Sequence, residues 1–65
     1  MKRLSELRNQ KGLTQRQIAP IFGVSQSTLN NWEHGHTQPS IEQLIKLANY
    51  FDVSVDYLIG NSDYL

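Results

Sequence analysis

The chain has no cysteine. That excludes disulfide staples, thiol nucleophiles and thiolate metal sites, and it fits a reducing cytoplasm. No apolar run approaches the roughly 18 to 20 residues of a membrane helix. The first ten residues, MKRLSELRNQ, lack the apolar core of a signal peptide. Strand-like alternation and low-complexity stretches are also missing. At 65 residues the chain has room for one small domain and a modest core, and little room for a pocket with an active site. A hydrophobic content of 38% is enough for that core and too high for a disordered chain.

Net charge is missing too, since six basic and six acidic residues cancel. A zero total argues against a nucleic-acid partner. The distribution does not. Residues 1–38 carry five basic groups, Lys2, Arg3, Arg8, Lys11 and Arg16, against Glu6 and Glu33. Residues 39–65 carry Lys46 against Glu42, Asp52, Asp56 and Asp63. The neutral sum hides a basic half and an acidic half. An ordinary solvated surface would show the same count.

One pattern recurs four times. A residue able to pack is followed by Ser or Thr, and an apolar residue stands four positions further on. The sets are Leu13/Thr14/Ile18, Val24/Ser25/Leu29, Pro39/Ser40/Leu44 and Val53/Ser54/Leu58. Each has the form of a helix N-cap with a hydrophobic staple. Gln17 and Gln43 stand where they would complete capping boxes with Thr14 and Ser40. With the N-terminal segment this predicts an all-α chain of five short helices. Helix 1 is expected over about 2–11 with Leu4 and Leu7 inward and Gly12 as a left-handed stop. Helix 2 starts at Thr14, buries Ile18, Ala19 and Phe22, and stops at Gly23. Helix 3 runs from Ser25 to about His34 with Gly35 as its cap. Helix 4 covers about 40–51, with Ile41, Leu44, Ile45, Leu47, Ala48 and Phe51 at helical spacing. Helix 5 covers about 55–59. The domain is expected over residues 1–60, with 61–65 a tail or the start of a linker.

Pro20 conflicts with this pattern. Inside a helix it removes a backbone hydrogen bond and clashes with the preceding turn, at about 3 kcal/mol. Helix 2 is therefore expected to kink there or to have a loosely wound first turn. Ile21 beside it is expected on the solvent side.

On a helical wheel at about 100° per residue, Thr28, Leu29, Trp32 and Glu33 share one half of helix 3. Gln26, Ser27, Asn30 and Asn31 share the other, which carries no charge. Solvated faces usually use Lys, Glu and Arg, whereas Asn and Ser are poorer helix formers. A face of amides and a hydroxyl points to hydrogen bonding with a partner. Asn and Gln can donate and accept, which matches the N6 donor and N7 acceptor of adenine in the major groove.

The segment Thr14 to Glu33 resembles the helix-turn-helix of the lambda-repressor/Cro-like family, also called the XRE family. The residues that carry the resemblance are Gln15, Ile18-Ala19, Phe22-Gly23-Val24, Leu29 and Trp32-Glu33. It extends through KGLTQ (11–15), WEHG (32–35), QPS (38–40) and FDVSVDYLIG (51–60), and so covers nearly the whole chain. The resemblance implies a five-helix DNA-binding domain. Its function would be that of a sequence-specific transcriptional regulator, a repressor, working in the cytoplasm of a bacterium or phage host. The partner implied is a pseudo-palindromic duplex operator bound by a homodimer. It also implies roles. Gln26, Ser27, Asn30 and Asn31 would reach bases. Gln15, Arg16, His34, His36, Thr37 and Gln38 would lie along the phosphates. Arg8 and Glu33 would form a structural ion pair between helices 1 and 3. The positions of Asn31, His34, His36 and Gln38 often carry Lys or Arg in the family, so phosphate attraction should be weak here and should strengthen as the histidines gain charge.

No cofactor is implied. His34 and His36 without a third ligand make a poor metal site. Ser25, His34 and Asp52 supply the residue types of a hydrolytic triad but no pocket or oxyanion hole, which argues against an enzyme. The rival to the DNA reading is a protein-interaction or antitoxin-like module on the same scaffold. A broad apolar patch around helix 3 would favour that rival.

Overall fold

The computed structural model describes all 65 residues. It contains five helices, α1 (Lys2–Gln10), α2 (Gln15–Ile18), α3 (Gln26–His34), α4 (Ile41–Phe51) and α5 (Val55–Leu58), and one 3-10 turn (Ala19–Phe22). No strand is present. The all-α architecture of five helices expected from the cap pattern is the one observed.

The hydroxyls set where the helices begin. Thr14, Ser25, Ser40 and Ser54 each accept from the backbone N–H three residues on, at Gln17, Thr28, Gln43 and Tyr57. Each bond satisfies one orphan donor of a first turn and contributes about 1 kcal/mol. At Thr14 the box closes, since the Thr14 N–H donates to Gln17 Oε1 at 2.8 Å. At Ser40 it does not. Gln43 Nε2 donates instead to the Phe22 carbonyl at 3.0 Å. The second capping box is thus traded for a tie between α4 and the 3-10 turn.

The tight cap at Thr14 also settles the behaviour of Pro20. The first turn of α2 is not loosely wound. The α-helix ends at Ile18, and the chain continues as a 3-10 turn with Pro20 in its first two positions. A proline there gives up no obligatory hydrogen bond. The turn ends at Gly23 with φ +68°, and Val24 N–H closes back on the Ala19 carbonyl at 3.1 Å. This left-handed residue aims the chain into α3. A Cβ at Gly23 would meet nothing within 4 Å, so the need for glycine lies in the backbone conformation.

All five helices and the turn feed one core. It comprises Leu4 and Leu7, Ile18, Ala19 and Phe22, Leu29 and Trp32, Leu47, Ala48 and Phe51, and Leu58. Leu4, Ile18, Leu29, Leu47 and Leu58 are fully buried. Truncating any one to Ala costs about 2–5 kcal/mol. That is a large part of the ~3–10 kcal/mol a chain of this size has. In α4 the apolar pattern is wider than the core. Ile41 and Ile45 are 76% and 47% exposed, one turn apart on a flank that nothing covers. Ile21 is exposed as expected.

Both ends of the chain are tied down. The Met1 ammonium donates to the carbonyls of Trp32 (2.7 Å) and Glu33 (3.3 Å) at the end of α3. Arg3 lies over the Tyr57 ring, 4.2 Å from its centroid. It donates to the carbonyls of Tyr57 and Ser62 and to Asp63 Oδ1. The Ser54 N–H donates to the Leu65 carbonyl at 2.6 Å. Residues 61–65 therefore bend back over the start of α5. No helix is long and apolar enough to cross a membrane.

Candidate nucleic-acid interface

Leu29 and Trp32 anchor α3 in the core, with Glu33 buried beside them. The opposite face presents Gln26 and Ser27, both exposed, and Asn30 and Asn31, both half-buried. None of the large exposed apolar side chains stands on α3 or on the loop after it. Those side chains are Ile21, Ile41, Ile45, Ile59, Tyr64 and Leu65.

Glu33 organises the inner side of this face. Arg8 meets it with two bonds, Nε to Oε2 at 2.7 Å and a terminal nitrogen to Oε1 at 3.1 Å. The third reach of Arg8 goes to the Leu13 carbonyl at 2.9 Å. The two side chains are 13% and 3% exposed. The hydrogen bond to Glu33 raises the Arg8 pKa, burial works against it, and the carboxylate charge adds to the rise. Gln15 Nε2 joins the same carboxylate, 3.0 Å from Oε1, and is also 3.0 Å from Asn30 Oδ1. Helices α1, α2 and α3 are thus cross-linked through one buried charge. This network is invisible to a search by motif. The Arg8–Glu33 pair was legible through family resemblance, but nothing in the spacing indicated that Gln15 turns inward. Both hydrogens of its amide are engaged, and its free polar atom is Oε1, an acceptor. A phosphate contact by that amide requires it to leave Asn30 or Glu33.

Four of the expected contact residues are brought together. Gln15, Gln26, Ser27 and Asn30 line one open depression with no apolar side chain in its wall. Gln15, Arg16 and Gln26 also border a second depression, with Asn9 and the Gly12–Thr14 turn. Asn31 stands outside both. Its carbonyl accepts the Gly35 and His36 N–H groups that close α3. His34, His36, Thr37 and Gln38 are all exposed. The two imidazoles stack with centroids 6.1 Å apart and planes at 18°. His34 Nδ1 is 2.9 Å from the Asn30 carbonyl. Only an N–H can face that oxygen, so the neutral ring turns Nε2 outward as an acceptor. No group of three potential metal ligands exists.

The basic half of the sequence is less available than its count suggests. Arg8 is committed to Glu33, and Arg3 to the C-terminal residues. Lys11 sits over the Tyr50 ring, 5.4 Å from its centroid. Arg16 is the one full cation among the expected contact residues with no internal partner.

The geometry is that of a capped helix, a tight left-handed turn and a second helix with its polar face outward. The pattern of the helix-turn-helix family HTH_3 matches residues 4–58. The chain belongs to that family. As an XRE-type helix-turn-helix domain it is 37% identical over 62 residues to the HTH-type transcriptional regulator ImmR of Bacillus subtilis (strain 168), spanning 95% of this chain and 49% of that protein. It is 33% identical over 63 residues to the HTH-type transcriptional activator BcrR of Enterococcus faecalis, spanning 97% of this chain and 31% of that protein. A crystal structure of a transcriptional regulator from Listeria innocua matches with a TM-score of 0.78 at 39% identity, over 95% of this chain and 55% of that one. The domain spans about half the length of the curated relatives it matches, and less in BcrR.

Proposed function

We propose that this chain is the DNA-binding part of a transcriptional regulator, placing α3 in the major groove of a duplex operator. The observation that carries the reading is the outer face of α3. It is wholly polar, uncharged and free of large apolar side chains, which suits hydrogen bonding to base edges and gives a protein partner nothing apolar to cover. The exposed isoleucines lie elsewhere, Ile21 on the 3-10 turn, Ile41 and Ile45 on α4, and Ile59 just after α5. An interaction module would use those side chains and not α3.

In this reading Gln26, Ser27 and Asn30 meet bases, with Asn31 at the edge of the contact. Arg16, His34, His36, Thr37 and Gln38 follow the phosphates. The largest extent of the molecule is 28 Å. Successive major grooves on one side of B-DNA are ~34 Å apart, so reading two of them takes two copies. The reading is therefore of a homodimer on a pseudo-palindromic operator, at the bacterial nucleoid. Repression would come from occluding polymerase. A relative named as an activator means that family membership does not set the sign of regulation.

Selection of bound sequences from a random duplex pool tests the reading. A symmetric site should emerge. Gln26→Ala should then lose about 1–3 kcal/mol of discrimination at one base position per half-site. Equal weakening on every sequence would place Gln26 on the backbone, and a pool without enrichment would remove the DNA reading.

A further inference from the structure

The buried ion pair fixes the hydrogen-bonding polarity of the recognition face. Glu33, as a carboxylate in a salt bridge with Arg8, has only acceptors to offer. The atom of Gln15 that faces Glu33 Oε1 at 3.0 Å must therefore be its nitrogen. That same Nε2 stands 3.0 Å from Asn30, and an NH2 group has a hydrogen for each neighbour. So the atom that Asn30 turns toward Gln15 must be its oxygen. The choice at each amide is dictated by the one before it, starting from a charge that cannot be reversed. What Asn30 keeps for the outside is Nδ2, a donor with no partner within the chain, at the rim of the depression shared with Gln26 and Ser27.

We propose that Gln15 holds Asn30 with its Nδ2 outward, so that at this depression Asn30 donates to a base acceptor, guanine O6 or N7, thymine O4 or adenine N7, and disfavours cytosine, whose major-groove edge offers only the N4 amino group. The proposal rests on the DNA reading above. It narrows what the sequence alone suggested, because a free asparagine can present donor and acceptor together to adenine. Here Oδ1 is turned inward to Gln15, so the paired donor and acceptor are not presented together. Turning the Asn30 amide over would set two N–H groups against each other and lose the bond to Gln15. Gln15 is thus a positioning residue that acts through Asn30 and touches no base itself.

The test uses three proteins in the same duplex selection. For the unaltered chain, one position per half-site should disfavour cytosine on the contacted strand by about tenfold, the order of one net hydrogen bond. In Gln15→Leu the amide is free to turn, and that preference should fall to within a few-fold while other positions keep theirs. In Asn30→Asp, which keeps the shape but offers only acceptors, the same position should turn from disfavouring cytosine to favouring it. Asn30→Asp leaves the core untouched and so serves if Gln15→Leu fails to fold. Side-chain amide NMR of the DNA-free protein adds a reading independent of any operator. Both Gln15 Nε2 hydrogens should exchange slowly, since each has a partner in the folded chain. An enriched site whose profile is the same in all three proteins would overturn the proposal and leave the DNA reading standing. So would fast exchange at Gln15. A pool with no enriched site would remove both.

Discussion

Three donors converge on Glu33: two from Arg8 and one from Gln15. Such a cluster is costly to break by halves. Glu33→Gln would leave the Arg8 guanidinium, 13% exposed, without its countercharge. The expected loss is about 3–5 kcal/mol, which for a total of ~3–10 kcal/mol leaves a substantial unfolded fraction. Arg8→Met with Glu33→Leu should recover most of that loss, since apolar replacements of a buried pair are often neutral. Urea unfolding measures both. If the double variant is as weak as the single one, the pair itself contributes net stability. The pH dependence has a definite sign. Arg8 has a raised pKa in the folded chain. Its contribution is complete below the arginine range of the unfolded chain, and it is lost only as pH rises through the folded value. The difference in stability between the unaltered chain and Glu33→Gln should therefore stay constant from about pH 7 to pH 10.

Among the elements, the half of the helix-turn-helix that supports α3 is the irregular one. Its proline sits at a change from α to 3-10 geometry and not in a helix interior. Pro20→Ala should therefore shift stability by less than about 1 kcal/mol, with the restored N–H offset by the freer unfolded chain. A gain near 3 kcal/mol would mean that Pro20 strains a helix that wants to continue. At the far end of α4, Asp52 is the one residue other than glycine with positive φ, at 56°. Asparagine tolerates that conformation equally well and removes a negative charge from a helix C-terminus. Asp52→Asn should raise the melting temperature, with a gain of a few tenths of a kcal/mol. The four helix starts were legible in the sequence because each rests on a contact between residues three or four apart. The second capping box was not, because Gln43 chose between its own cap and the distant Phe22 carbonyl. For the same reason the exposure of Ile41 and Ile45 was hidden. Periodicity reports that a helix has an apolar side, but not how much of that side its neighbours cover. Gln15 is the corresponding case in the site. Its place at the start of α2 was plain, but the direction of its amide depends on a carboxylate 18 residues away.

For the molecule as a whole, the question is how a chain with no net charge holds a polyanion. Arg16 is the single uncommitted full cation among the expected contact residues, and the rest of the set hydrogen-bonds without charge. The slope of log K against log salt measures the number of phosphates neutralised, at about 0.9 per contact. Near pH 8 the slope should be close to −1 per protomer, shallow for a DNA-binding protein. Histidine is the side chain that gains charge between pH 8 and pH 6. Neutral His34 turns the lone pair of Nε2 outward, which repels a phosphate. Protonated, it offers an N–H with a positive charge instead. His36 stacks beside it, so the two charges oppose each other in the free protein. A phosphate between or beside the rings would relieve that opposition. Binding should therefore strengthen toward pH 6, and the salt slope should steepen. Isotherms over a range of salt at the two pH values measure both quantities. His34→Gln with His36→Gln should hold the slope at its pH 8 value throughout. Slopes equal at both pH values in the unaltered chain would show that the loop after α3 does not lie along the phosphates, and the contact would then rest on α3 and Arg16 alone.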